Sequence, residues 1–209
     1  MEPLIRLTAV ACAMPRINID TDQILPARFM KQARTPPTGY STYLFHDARR
    51  GPDSAPDPSF ALNLLANAGA RIIAARRNFG SGSSREAAVY ALVDSGSHCV
   101  IAPSHGDIFA ANAVNDGLLP ARGTESDIEM ILELLAPGGI SAHVDLQTCL
   151  ISIGDKAFAF GVDPVANLRL LNGWDEIDMT RRYADDIARW SAADRLSRPW
   201  AAVPSEPEG

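Results

Sequence analysis

Ala70-Arg71-Ile72-Ile73-Ala74-Ala75-Arg76-Arg77-Asn78-Phe79-Gly80-Ser81-Gly82-Ser83-Ser84-Arg85-Glu86 is the stretch on which the reading of this chain turns. Residues 70–75 are a short apolar run of the length of a buried strand. A glycine-rich turn follows at residues 78–82. From Ser83 the spacing of Ala87, Ala88, Ala91 and Leu92 predicts a helix over residues 83–95, stopped by Gly96. Cys99-Val100-Ile101-Ala102 then reads as a second buried strand closed by Pro103, and residues 105–115 as a second helix ended by Asp116-Gly117. Strand and helix alternating at this spacing predict parallel α/β units.

Upstream, residues 4–14 are β-prone and end at Pro15. Asn18-Ile19-Asp20-Thr21-Asp22 is turn-rich and leads through Pro26 to a short helical segment over 27–32. Residues 35–58 are rich in Pro, Gly, Ser, Thr and Asp, and read as a long surface excursion. Downstream, Thr124 with Asp127 three residues on predicts a capped helix over 125–136, stopped by Pro137-Gly138-Gly139. Segments 144–146, 150–153 and 157–162 alternate like strands, with Gly154-Asp155 as a hairpin turn. Helices are expected over 164–172, with Gly173 as C-cap, and over 180–194. The expectation is one domain over residues 1–196, a mixed sheet flanked by helices, and a flexible C-terminal tail over 197–209.

The bulk properties exclude several classes. The chain has 209 residues, 46% of them hydrophobic, and a net charge of −6, which disfavours a nucleic-acid partner. Its apolar runs fall far short of the roughly 20 residues that cross a bilayer, and no secretory signal is evident at Met1-Glu2-Pro3-Leu4, so no membrane partner and a cytoplasmic location are expected. Cys12, Cys99 and Cys149 are three and scattered, which predicts reduced thiols rather than a disulfide frame or metal site. The four histidines form no ligand pair. The paired arginines at 49–50, 76–77 and 181–182 read as solvated edges.

The glycine-rich turn carries the chemistry. Backbone N–H groups at a helix start favour an anion, and Arg85 adds a planar fork suited to carboxylate or phosphate. A dinucleotide loop requires a third glycine where Arg85 stands and an acid where Ala102-Pro103-Ser104 stands. A Walker loop requires Lys-Ser/Thr after its last glycine. A carboxylate site with a serine at its centre fits the residues present. So does a plain structural turn, with Ser83 as N-cap and Arg85 paired to Glu86 or another surface acid.

Asn78-Phe79-Gly80-Ser81-Gly82-Ser83-Ser84-Arg85-Glu86 resembles the signature of the swivelling domain of aconitases and isopropylmalate dehydratases. Three further stretches resemble that family in order: Asn18 to Pro26; Ile101-Ala102-Pro103-Ser104-His105-Gly106-Asp107-Ile108-Phe109 with Asn112 and Gly117-Leu118-Leu119-Pro120; and Leu171-Asn172-Gly173-Trp174-Asp175-Glu176-Ile177. The resemblance implies an α/β fold, the layered β/β/α swivelling domain of the aconitase C-terminal type. It implies the small subunit of a hydro-lyase that isomerises 2-isopropylmalate and 3-isopropylmalate in leucine biosynthesis. Its partner is a large subunit, in a heterodimer or heterotetramer, and its substrate a small 2-hydroxy diacid. The resemblance also implies that this chain binds no cofactor or metal, and that a 4Fe–4S cluster on the large subunit holds the substrate hydroxyl and one carboxylate. By motif position Ser83 is the base, Ser84 and Arg85 bind a substrate carboxylate, and Arg34 is a second carboxylate ligand. Arg28 and Lys31, within the stretch Arg28 to Gln32, read the variable group of the substrate. Asp22, Gly80 and Gly82 support the site.

Ser81, Ala87 and His105 stand where cysteine, histidine and phenylalanine are usual in the family. These departures leave open homoaconitate, citraconate or dimethylmalate as the substrate class. A non-catalytic regulatory paralogue is a further alternative, against which the presence of Ser83, Ser84 and Arg85 weighs.

Overall fold

The computed structural model describes residues 1–201; the remainder of the expected tail, residues 202–209, lies outside the described residues. Two compact units are distinguished, Met1–Gly173 and Trp174–Gly209. The first holds a seven-stranded mixed sheet in the order β4-β3-β2-β1-β5-β6-β7. Its strands are β1 (Arg6–Met14), β2 (Ile72–Ala75), β3 (Cys99–Ala102), β4 (Leu119–Arg122), β5 (Ser141–Asp145), β6 (Leu150–Ile153) and β7 (Lys156–Ala159). β1 serves both halves: residues 6–10 pair antiparallel with β5, and residues 11–14 pair parallel with β2. β2, β3 and β4 continue the parallel half, and β5, β6 and β7 the antiparallel half. Arg122 and Gly161 exchange two hydrogen bonds of 2.9 and 2.7 Å, so the sheet curls until its edges touch.

The helices of this unit are α1 (Thr21–Ile24), α2 (Glu86–Asp94), α3 (Asp107–Asn115), α4 (Glu125–Leu135) and α5 (Pro164–Asn172). Strand periodicity sorts the core into two layers. Ile72, Ala74, Cys99 and Ile101 face a cluster shared with α4, α5 and the antiparallel half. Ile73, Ala75, Val100 and Ala102 face the other, shared with α2, α3 and the segment after β1. The connections β1→β2→β3→β4 all advance the same way, and right-handed crossovers then put every connection on one face. On α4, Ile128, Ile131, Leu132 and Leu135 repeat at helical spacing and are buried; each such side chain contributes roughly 1.5–3 kcal/mol relative to exposure. Thr124 Oγ1 accepts from the Asp127 amide at 3.1 Å, as the cap pattern predicted.

Several expectations need correction. β4 was not foreseen, because Pro120 has no N–H for a ladder; the strand is tolerated at the sheet margin, where proline is found. The short helical segment expected over 27–32 is present as a 3-10 helix, Ala27–Lys31, whose Pro26 cap offers no side-chain bond. Residues 35–58 are not a surface excursion: Tyr40, Leu44 and Phe45 are buried in the α2/α3 layer, and the Phe45 amide donates to Ile24 O at 2.8 Å. The expected helix over 180–194 is two helices of the second unit, α6 (Glu176–Arg181) and α7 (Ala184–Ser197). Gly173 ends α5 at φ 68°, and Asp175 opens α6 with a reciprocal capping box to Asp178. The closing Gly-x-Asp-x-Ile motif therefore has a local role as a stop and a start.

His105 is 6% exposed, and neither ring nitrogen has a hydrogen-bond partner. It stacks on Phe109 at 6.3 Å and lies edge-on to Phe79 at 6.4 Å. Burial, aided by the Arg122 charge, lowers its pKa from 6.5 to about 4. The unfolded chain therefore binds the proton first as pH falls, and stability is lost between about pH 6.5 and 4. The full loss is on the order of 3 kcal/mol at 1.36 kcal/mol per unit. His105→Phe is expected to flatten this slope: the stability advantage of the variant in urea unfolding grows from pH 7 to pH 4.5. Parallel pH profiles for the two proteins would contradict the assignment.

Candidate active site

The parallel strands deliver three segments to one edge of the sheet, and these continue the strand order past the strand ends. Residues 78–81, after β2, lie between residues 18–21, after β1, and residues 104–106, after β3. On one side the Gly80 amide donates to Ile19 O (2.7 Å) and the Thr21 amide to Ser81 O (2.9 Å). On the other, the Phe79 amide donates to Ser104 O (3.1 Å) and the Gly106 amide to Phe79 O (2.9 Å). The Asn78 amide donates to Ser104 Oγ at 2.9 Å, and the Asn78 side-chain amide donates to Asn18 Oδ1 at 2.9 Å. Carboxyl ends of parallel strands are where α/β sheets place ligands.

The glycines are required by close approach. A Cβ on Gly80 would stand 2.2 Å from the Phe109 ring, and Gly80 has φ +71°. One on Gly106 would stand 2.5 Å from Gly80 O. At Gly82 the neighbours Asp20 and Thr21 are farther off, and it is the φ of +93° that asks for glycine.

α2 begins at Glu86, so Ser83, Ser84 and Arg85 precede the helix instead of forming its first turn. Arg85 takes the N-cap position with extended backbone and no side-chain cap bond, which leaves helix-start amides unsatisfied. Ser83 O accepts from Thr21 Oγ1 (3.0 Å) and from the Arg85 amide (2.8 Å). The Ser83 backbone is thus pinned while its side chain is exposed. The amides of Gly82, Ser83 and Ser84 donate to no group among the described residues. Asp20 caps α1, accepting from the Gln23 amide at 2.7 Å, and this frees the next acid, Asp22, to form an ion pair with Arg85. Only Arg85 Nη1 is engaged in that pair, so Nε and Nη2 remain for a ligand. Ser83, Ser84, Arg85, Asp22, Gly80 and Gly82 are therefore brought together.

The other named residues lie elsewhere. Arg34 holds Asp94 with three contacts of 2.7–3.2 Å and stacks over Tyr90 at 3.9 Å. Asp94 is the last residue of α2, whereas Arg85 precedes its first, roughly 13 Å away at 1.5 Å per residue. The structure does not join Arg34 to Ser83. Arg28 is paired to Asp47 and lies over Phe29 at 4.5 Å; Phe29 in turn stacks on Tyr43 at 4.3 Å. Lys31 is exposed and makes no ion pair among the described residues. Sequence reasoning missed the Thr21 clamp on Ser83 O. No local signal announces it, because the burial that makes the Thr21 hydroxyl need a partner arises only in the fold.

The thiols do not suit a metal cluster. Burial raises Cys12 to about 11 and Cys99 to about 12, so both are protonated and poor ligands. No group of three or more His, Cys, Asp or Glu is arranged for a metal ion among the described residues. No helix there is long and apolar enough to cross a membrane.

Comparison with known proteins identifies the family. Residues 1–126 match the family model of the aconitase C-terminal domain. The 3-isopropylmalate dehydratase small subunit of Shouchella clausii is 42% identical over 91% of this chain and 95% of its own length. That of Rhodospirillum centenum is 40% identical over 96% and 99%. A crystal structure of 3-isopropylmalate dehydratase from Methanocaldococcus jannaschii shares the fold, with a TM-score of 0.64 at 24% identity, covering 88% of this chain and 99% of that one. The chain belongs to the aconitase C-terminal domain family, among relatives that are 3-isopropylmalate dehydratase small subunits.

Proposed function

We propose that the chain is the small subunit of a hydro-lyase that interconverts 2-isopropylmalate and 3-isopropylmalate, and that Ser83 is its base. The observation that carries the proposal is the Gly82–Arg85 segment at the carboxyl edge of the parallel strands. It combines a pinned backbone, an exposed hydroxyl, free amides and a guanidinium held by one arm. Dehydration needs a proton taken from the carbon beside the one bearing the hydroxyl, and rehydration needs it returned. A serine oxygen does this only where its negative charge is held, and the free amides of residues 82–84 with the unsatisfied start of α2 are donors for that charge. Arg85, steadied by Asp22, would grip a substrate carboxylate with its free arm. Polarising the departing hydroxyl belongs to a large subunit, where the resemblance puts the 4Fe–4S cluster; the small-subunit names of the relatives support such a partner. The purified chain is expected to be colourless and inactive, and to gain activity on mixing with a large subunit. A brown, active preparation of this chain alone would refute this.

Ser83→Ala is expected to lower turnover by about 10²-fold to 10⁴-fold, the range for losing a positioned base, with subunit association intact by gel filtration. Arg85→Lys keeps the charge and loses the fork, so it should chiefly raise KM. Near-normal turnover in Ser83→Ala would transfer the base to another residue.

A tricarboxylate substrate is the second reading, and Lys31 favours it. Arg28 is committed to Asp47, whose pKa is lowered to about 2 mainly by its bond to Arg28, leaving Lys31 as the unpaired cation of the Arg28–Gln32 stretch. Against it stand Met30, 42% exposed, and the stacked Phe29. An apolar wall there would favour an isopropyl group by roughly 2 kcal/mol for three carbons, and an exposed lysine tends to extend into solvent. Specificity constants for 3-isopropylmalate and homoisocitrate, in the native pair and with Lys31→Ala, separate the two. The alkyl substrate is expected to win in both; a native preference for the tricarboxylate that disappears with Lys31→Ala would reverse the assignment.

A further inference from the structure

The segment between residues 41 and 63 carries a second basic site, remote in sequence from the Ser83 loop. A pocket of about 300 Å³ is lined by Ser41, Thr42, Arg49, Arg50, Pro56 and Asn63, a volume at the lower end of the range for small-ligand sites, about 300–1,000 Å³. Its walls are built by backbone pairing: the Asp57 amide donates to Arg49 O (2.8 Å), the Gly51 amide donates to Ala55 O (2.9 Å), and Arg50 bridges to Pro56. Arg49 donates from Nε to Asn63 Oδ1 (2.8 Å) and from Nη2 to Leu62 O (3.4 Å). Arg50 donates from Nη1 to His46 O (3.1 Å). Arg49 Nη1, Arg50 Nη2 and the Thr42 hydroxyl have no partner among the described residues.

Neither arginine meets a carboxylate. The acids of this stretch are used elsewhere: Asp47 pairs with Arg28, Asp53 accepts from the Ala55 amide, and Asp57 accepts from the amide and hydroxyl of Ser59. Arg28, Arg34, Arg76 and Arg85 each hold an acid, whereas these two adjacent guanidiniums, in a chain of net charge −6, hold none. Burial and the neighbouring Arg50 charge both lower the Arg49 pKa, the opposite of what an acid partner does to the other three arginines with resolved shifts. Two half-buried like charges repel each other, and an anion between them removes that repulsion.

We infer that this pocket binds a phosphate group, free or carried on a small phosphomonoester. A carboxylate presents two oxygens; a phosphate presents three or more, matching the two guanidiniums and the hydroxyl that line this pocket.

The test is isothermal titration of the full chain with inorganic phosphate and, separately, with glycerol 3-phosphate, at constant ionic strength set by sodium chloride. Saturable one-to-one binding is expected. Arg49 is part of the loop frame through Asn63, so Arg50→Gln and Thr42→Val carry the test, with folding checked by circular dichroism. Loss of a charge-assisted bond is expected to weaken binding roughly 10-fold to 100-fold in Arg50→Gln, and less in Thr42→Val. Tighter binding of the monoester assigns the pocket to an esterified phosphate, and equal binding to the free ion. Absence of saturation above the chloride control overturns the inference. So does binding that survives Arg50→Gln but is lost in Arg85→Gln, which would put the anion at the Ser83 loop.

Discussion

The rest of the molecule depends on the ladder in which residues 78–81 are hydrogen-bonded on both sides after their strand has ended. A turn between strand and helix normally has freedom to choose its path. Here the Gly80 and Phe79 amides are committed to Ile19 O and Ser104 O, and Thr21 and Gly106 donate back. The turn is fixed as far as Ser81 by pairing that has the geometry of a sheet, and beyond it the Thr21 hydroxyl holds Ser83 O. Side-chain bulk is excluded at the crossing points, since Gly80 lies against the Phe109 ring and Gly106 against Gly80 O. Three stretches far apart in sequence are therefore one structural unit, and Ser83 is positioned by segments 60 residues upstream and 20 downstream as much as by its own.

The elements that were legible in the sequence are those whose signal is local. β3, β6 and α5 fall where their apolar runs, turn residues and caps put them, because Pro103, Gly154 and Gly173 act within a residue or two. What was illegible needed a partner. β4 contains Pro120 and forms only because β3 offers a ladder and Gly161 meets its other side. The 35–58 segment looked like loop by composition, yet Tyr40, Leu44 and Phe45 find a hydrophobic face on α2 that no local rule announces. Within the site, Ser83, Arg85 and the glycines could be read from a motif. The Asp22–Arg85 pair and the Thr21 clamp could not, because they join residues about 60 apart. Arg34 is a different case: the resemblance named it as a carboxylate ligand, and in this fold it is paired with Asp94 at the other end of α2.

Electrostatics follows a consistent arrangement in this unit. Arg28, Arg34, Arg76 and Arg85 each meet a carboxylate, and all of these pairs are at least partly exposed. Exposed pairs contribute little to stability, typically 0–1 kcal/mol, so their effect is better sought in orientation. Asp94 illustrates it: besides Arg34 it accepts from the Tyr40 amide at 2.8 Å, and it tolerates only glycine at position 39, where a Cβ would stand 2.1 Å from its oxygen. One carboxylate thus ties the 34–40 segment to the end of α2, and with it the chain that leads into the aromatic stack of Phe29 and Tyr43.

A serine acting as a base raises a physical question that the fold partly answers. No histidine or lysine is hydrogen-bonded to Ser83 among the described residues, and His105, the histidine nearest in the ladder, is buried, neutral and turned into the aromatic layer. A Ser–His relay is therefore not the arrangement here. The remaining means of lowering the cost of an alkoxide is to surround it with donors and exclude water. The free amides around Ser83 are such donors, but in the chain by itself the Ser83 side chain is open to solvent, where water would screen them. Their effect becomes large only when another surface covers this edge of the sheet. For the proposed base, an exposed hydroxyl on a rigid, donor-rich edge would be half of the environment required, and the low dielectric that completes it would have to come from the surface that covers it.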